Sequence, residues 1–185
     1  MAKSESPIYQ IKITLNESKP PIWRRLLVPG DITLYRLHRI IQDAMGWWDS
    51  HLHQFIVNEV YYGEPSDDDW YEVKSERRAK LNQIAPSEKD KFTYEYDFGD
   101  DWLHTVLVEK ILPPDPSQKL PVCIKGKRAC PPEDVGGVWG YEGFLEAIKD
   151  PKHEEHESYL EWVGGDFDPE KFDLDAINAR LKANR

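Results

Sequence analysis

Cysteine is nearly absent: the 185 residues hold two, Cys123 and Cys130. Two thiols cannot staple a disulfide scaffold or fill a four-cysteine zinc site, so a reduced, cytoplasmic protein is the expectation. Long apolar runs are missing too. None approaches the roughly 18 residues that a membrane helix needs, so no membrane association is expected. The opening Met1-Ala2-Lys3-Ser4-Glu5-Ser6-Pro7 has no apolar core of the kind that directs export. Basic charge is scarce: 24 Lys and Arg face 34 Asp and Glu, a formal net charge of −10. Phosphate neutralisation supplies much of the affinity of nucleic-acid binders, so generic binding to DNA or RNA is disfavoured. Only the first fifty residues carry a slight basic excess. The phosphate-loop pattern Gly-x4-Gly-Lys-Ser/Thr is also absent, as are internal repeats and low-complexity tracts.

Aromatic residues are plentiful, with seven tryptophans, nine tyrosines and six phenylalanines, which argues against a disordered chain. A chain of this length buries roughly 70% of its unfolded surface and fits one domain. Tyr9, Ile11, Ile13 and Leu15 alternate with polar residues, which predicts a half-buried strand. Pro20-Pro21 interrupts it, and a second strand runs from Ile22 to Val28, ended by Pro29-Gly30. Leu34, Leu37, Ile40, Ile41, Ala44 and Met45 recur at helical spacing, with Asp31 or Thr33 as N-cap and Gly46 past the end. His51–Val57 reads as a strand and Val60–Tyr62 as its hairpin partner. Gly63–Trp70 is an acidic loop, and Ser75–Ile84 is expected to be a short helix. Alternation resumes at Phe92, Tyr94, Tyr96 and Phe98 and again from Trp102 to Lys110, with a turn expected at Gly99-Asp100. The Pro- and Gly-rich stretch Leu112–Gly137 is expected to be an ordered loop. Helices then centre on Tyr141–Ile148, on Tyr159–Trp162, and on Leu174, Ile177 and Leu181. Strands, helix, strands and then helices make an α+β protein: a largely antiparallel sheet packed with three or four helices, opening in a β-grasp-like strand-strand-helix-strand order.

The chemistry concentrates in a few places. A turn at Gly99-Asp100 would set Asp97 opposite Trp102 and Glu95 opposite His104, all on one sheet face, with Phe92, Tyr94, Tyr96 and Phe98 on the other. A carboxylate beside an imidazole fixes its tautomer, as general-base and metal sites both require. The alternative is a structural Glu–His pair beside two turn acids, Asp100 and Asp101. His51 and His53, two apart on a strand, could chelate one divalent metal with His104, Asp97 or a cysteine as third ligand; the alternative is packing beside Trp47, Trp48 and Phe55. Glu133 and Asp134 lie in the rigid Pro131–Gly137 loop, where they could bind a cation or basic partner or merely satisfy nearby amides. Cys123 and Cys130 read as buried thiols, although Lys125, Lys127 and Arg128 lie between them. His153 and His156 are three apart, not the four of a zincin helix, and read as a solvated helix start. Trp23-Arg24-Arg25, with Arg36 and Arg39, is the one stretch suited to a phosphate contact; the alternative is an edge strand with solvated arginines.

Pro20-Pro21-Ile22-Trp23-Arg24-Arg25, Ala44-Met45-Gly46-Trp47 with His51-Leu52-His53-Gln54-Phe55, Tyr94–His104, Ala129–Gly137, Trp162 and Phe167-Asp168-Pro169 resemble, in that order, the Ri-plasmid ORF-3-like family. The resemblance spans about residues 7–181, taken as the ordered core of a single domain over 1–185. It implies a link to mobile elements, because relatives are labelled passenger or resolvase-like proteins of insertion elements. A serine recombinase, however, needs an activated serine among arginines and a basic DNA-binding module, and this acidic chain shows no helix-turn-helix pattern with a basic face. No complete nucleophile–base–orienter set stands out. The expectation is therefore a binding or accessory protein for an unidentified protein or small ligand. Its candidate cleft is made of Asp97, Asp100, Asp101, Trp102, His104, Glu133 and Asp134, gathered around one concavity with His51 and His53. The alternative is a metal-dependent, hydrolase-like enzyme using His51, His53, His104 and nearby carboxylates.

Overall fold

The computed structural model describes residues 5–185, so the Met1–Ser4 part of the export-signal reading lies outside the described residues. Among the described residues eight strands form one sheet: β1 (Ile8–Leu15), β2 (Ile22–Pro29), β3 (His53–Val57), β4 (Val60–Gly63), β5 (Val73–Ser75), β6 (Lys91–Tyr96), β7 (Trp102–Leu112) and β8 (Val122–Lys127). Their order is β5-β4-β3-β6-β7-β1-β2-β8, and every pairing is antiparallel except β4 with β5. Five helices among the same residues accompany it: α1 (Leu34–Met45), the single turn α2 (Leu81–Ile84), α3 (Gly137–Lys149), α4 (His156–Val163) and α5 (Leu174–Ala183). The α+β class holds, with the expected β1-β2-α1-β3 opening. In the sheet, β6 and β7 separate β3 from β1, and the sheet does not close.

Period-two burial builds the core. Ile11, Ile13 and Leu15 of β1 and Ile22, Leu26 and Val28 of β2 are buried together with the apolar stripe of α1. Burying each such side chain contributes about 2 kcal/mol. The Thr33 hydroxyl accepts from the Arg36 amide at 3.2 Å, and Gly46, at φ +112°, closes α1 in the left-handed region. The stripe is not wholly apolar: His38 and Gln42, one turn apart, are buried within it.

The β6–β7 hairpin differs from expectation. Its loop is five residues, Asp97–Asp101, and the register pairs Tyr96 with Trp102 and Tyr94 with His104. Trp102 and His104 therefore share the buried face with Phe92, Tyr94 and Tyr96, while Glu95 lies opposite Leu103. The physical reason is that buried faces set register: Trp102, His104, Val106 and Val108 must all point inward with the β6 aromatics. The odd-length loop achieves this because Asp97 and Asp101, at φ +60° and +59°, accept left-handed backbone. Phe98 leaves the strand and is half-exposed.

Two further differences concern the chain's middle. Within Leu112–Gly137, Val122–Lys127 pairs with β2 as β8. Ser75–Ile84 contains the end of β5 and only one helical turn. The β8 strand changes the fate of Trp23-Arg24-Arg25, since β2 is no longer an edge. Arg24 is buried and donates to the carbonyls of Ala44, Trp23 and Lys127, while Arg25 pairs with Glu109 at 2.9 Å. Both guanidinium groups are thus engaged within the fold.

His104 is fully buried: Nδ1 lies 3.3 Å from the Tyr94 carbonyl, and Nε2 has no hydrogen-bond partner. Burial, outweighing the backbone contacts, lowers its pKa to about 4. The unfolded chain binds a proton that the folded chain refuses, so this contribution to stability is complete above about pH 6.5 and is lost as pH falls towards about 4. In chemical denaturation, His104→Phe should gain up to about 3 kcal/mol relative to wild type across that window. A difference that stays constant with pH would refute the assignment.

Candidate functional site

Three loops meet at the C-terminal end of α1. They are the α1–β3 loop, the β6–β7 loop and the Pro131–Gly136 segment ahead of α3. Glu133 joins two of them through Oε1, which accepts from the Trp48 amide at 2.7 Å and the Tyr96 hydroxyl at 3.0 Å. The same hydroxyl accepts from the Ser50 amide at 2.9 Å. Asp100 Oδ2 accepts from the Gly136 amide at 3.0 Å, and the Asp97 amide donates to the Leu52 carbonyl at 2.8 Å. Burial, with the Glu133 carboxylate beside it, holds the Tyr96 phenol protonated far above its ordinary range.

His51 stands at the centre of this junction. Its Nε2 lies 2.8 Å from Asp134 Oδ1, 3.5 Å from Asp97 Oδ2 and 3.8 Å from Glu133 Oε2. The nitrogen is sealed from solvent yet makes no hydrogen bond, because even the 2.8 Å approach fails the angular requirement. Asp97 is 6% exposed and is aimed by its own turn. Its Oδ1 accepts from the Gly99 amide at 3.0 Å and the Asp100 amide at 3.3 Å, which leaves Oδ2 towards His51. Tetrahedral ligands at about 2.1 Å from an ion stand about 3.4 Å apart, near the distances from His51 Nε2 to Asp97 and Asp134, with Glu133 a little farther off. His51, Asp97 and Asp134 offer donor atoms all within 4.8 Å of one another. Asp134 is the member most open to solvent, with a side chain 67% exposed.

A second polar group borders a cleft of about 670 Å³ that both His51 and His53 line, whereas Glu133 and Asp134 line a separate depression beside Trp48 and Cys130, so the expected single concavity is divided in two. The His53 and His38 rings stack with centroids 3.4 Å apart and planes 3° from parallel. His53 Nε2 meets the buried Glu76 carboxylate at 2.7 Å. His38 bridges Asp49 and the Tyr94 hydroxyl, each at 2.8 Å. Burial and then the adjacent His53 lower the His38 pKa to about 4, against the opposing pull of Asp49.

The structure thus gathers His51, Asp97, Glu133 and Asp134, with Asp100 as a strut to the third loop. His53 belongs to the neighbouring group, Trp102 and His104 lie in the core, and Asp101 is exposed near Glu95. His38, Gln42, Asp49, Glu76 and Tyr96 were not anticipated from sequence. The polar pair at i and i+4 within α1's apolar stripe was the available signal for two of them; Glu76, in a charged loop, offered none. Cys123 and Cys130 are both free, and burial raises both thiols, so the flanking cations do not activate them. His153 accepts from the Glu155 amide just ahead of α4, as a solvated helix start would.

Residues 7–176 match the model of the family described as plasmid pRiA4b ORF-3-like protein. Uncharacterized protein y4hQ of Sinorhizobium fredii is 38% identical over 174 residues, covering 92% of this chain and 89% of that protein. The crystal structure of a protein of unknown function, MM3350 from Methanosarcina mazei Go1, superposes with a TM-score of 0.83 at 43% identity. That match covers 92% of this chain and 97% of the other.

Gly137 lets the third loop reach the second. It sits at φ +72°, and an added Cβ would overlap the Asp100 carbonyl oxygen. Gly137→Ala should lower stability by about 2 kcal/mol and detach the Pro131–Gly136 segment from the β6–β7 loop. Loss of amide protection at Gly136, followed by hydrogen exchange, reports that detachment; unchanged protection would contradict it.

Proposed function

The chain belongs to the plasmid pRiA4b ORF-3-like protein family, and from the geometry of its loop junction we propose that it is a binding protein whose ligand is a divalent cation held by His51, Asp97, Glu133 and Asp134. One observation carries this reading. A solvent-sealed imidazole nitrogen without a hydrogen bond faces three carboxylate oxygens within 3.8 Å. A cation at their centre would occupy the nitrogen lone pair and offset three like charges that otherwise repel. One imidazole with three carboxylates suits a borderline or hard ion such as Zn2+ or Mn2+. The Tyr96 hydroxyl and the Trp48 amide orient Glu133, and the Gly99 and Asp100 amides orient Asp97, as supporting contacts around a metal do.

The exposed side at Asp134 supports a second reading, metal-assisted hydrolysis, since a catalytic centre keeps one position open. When bound, the ion would supply acidity to a water there, while His51, Asp97 and Glu133 hold the geometry. The proposal includes a cytoplasmic protein, in keeping with two free thiols; among the described residues no helix is long and apolar enough to cross a membrane. It also includes the mobile-element association implied by the family's plasmid description.

Elemental analysis of untagged protein and calorimetric titration with Zn2+ and Mn2+ test the reading. About one ion per chain is expected. His51→Ala and Asp97→Asn should each weaken binding at least about tenfold while denaturation stays cooperative. Wild-type protein that purifies free of metal and gives no heat with either ion at millimolar concentration would overturn it.

A further inference from the structure

We propose that the cleft over His53 binds an organic cation, a primary ammonium or guanidinium about the size of a lysine or arginine side chain, which donates a hydrogen bond to His53 Nδ1. The site is separate from the His51 group and does not depend on a metal there.

The argument starts from where the protons lie. Gln42 Nε2 donates to the Tyr94 hydroxyl at 2.9 Å, so that hydroxyl directs its own proton to His38 Nδ1 at 2.8 Å. His38 Nε2 is left to donate to Asp49 Oδ1, and the Asp49 amide closes the ring by donating to Gln42 Oε1 at 2.8 Å. His38 is therefore a neutral ring with both nitrogens committed. His53 lies flat upon it, and its Nε2 donates to Glu76 Oε2 at 2.7 Å. That leaves the lone pair on His53 Nδ1, which has no partner among the described residues and, unlike Nε2 of His51 and His104, is not sealed from solvent. His38, Asp49 and His53 have metal-ligating atoms within 4.8 Å of one another. Imidazole lone pairs lie in the ring plane, however, so stacked rings with centroids 3.4 Å apart and planes 3° from parallel do not converge on one ion at about 2 Å. The stack is a hydrogen-bonding floor rather than a chelate.

The walls select the charge of the occupant. Asp49, Glu64, Asp68 and Asp69 border the cleft, and Arg77 is the one lysine or arginine among its lining residues. Arg77 is already engaged, its guanidinium lying 3.8 Å from the centre of the Tyr35 ring. This contact shows that the wall accepts a guanidinium by cation–π attraction. Half-exposed Tyr71 and Phe98 add further aromatic faces. Buried Glu76 strengthens His53 as an acceptor, and the surrounding carboxylates favour a cation while repelling an anion. The volume of about 670 Å³ suits a small molecule or an extended side chain with its flanking backbone.

Calorimetric titration with agmatine at pH 7.5, with EDTA present, tests this directly; neutral butyramide and anionic succinate serve as comparisons. Agmatine is expected to bind once per chain and the other two not at all. Asp68→Asn with Asp69→Asn, both on the exposed wall, should weaken agmatine at least about tenfold, and His53→Phe, which keeps an aromatic ring on His38, should do the same. No heat with agmatine at millimolar concentration, equal binding of succinate, or undiminished binding to the doubly substituted protein would each overturn the proposal. EDTA keeps the outcome independent of the His51 centre, whose own test is metal content.

Discussion

The bond between the Tyr96 hydroxyl and Glu133 organises the functional end of the molecule. Tyr96 is the last residue of β6 and its ring is buried in the sheet's core, so its hydroxyl has a position fixed by packing. From there it accepts the Ser50 amide and donates to Glu133, tying the α1–β3 loop and the segment ahead of α3 to one rigid point. Burial costs a phenol its hydration, and these two bonds replace it. Glu133 in turn is held by a second loop amide, that of Trp48. Without this chain of contacts, His51 would face only the acids of its own surroundings and Glu133 would be free to turn to water.

Two polar groups then divide one stretch of chain. Asp49 and His53 serve the stacked imidazoles, while His51 between them serves the carboxylate junction. Alternation explains the division only in part, since His51 precedes the regular part of β3. What separates the rings is the set of anchors on either side: Glu76 beyond β5 draws His53 one way, and Asp97 with Asp134 face His51 on the other.

The α+β class, six of the eight strands and the chemistry of several site residues are readable in the sequence, because period-two and helical spacing both report which face is buried; the three residues of β5 are too few to show a period. Val122–Lys127 was obscured by the surrounding prolines and glycines, which signal loop even where six residues pair with β2. Gly99-Asp100 resembles a two-residue turn, whereas the inward demand of Trp102 and His104 sets a five-residue loop, which places His104 in the core and not at the expected site. His51, Asp97, Glu133 and Asp134 were recognisable as chemistry-bearing residues, but their meeting depends on contacts across up to 85 positions, as between Trp48 and Glu133, which no local pattern encodes. Glu76 and Asp49 gained their importance from burial and from a histidine stack that spacing alone does not reveal.

Consecutive amides in the α1–β3 loop are tied to three different side chains: Trp48 to Glu133, Asp49 to Gln42 and Ser50 to Tyr96. This segment has no regular secondary structure, yet three successive amides are hydrogen-bonded, to partners from three separate parts of the chain. Ordering a loop on binding commonly consumes much of the gross interaction energy. Here the ordering is completed during folding itself, so a ligand meeting His51 or Asp49 encounters groups already in place, and its association rate reflects access to the cleft rather than rearrangement of its walls.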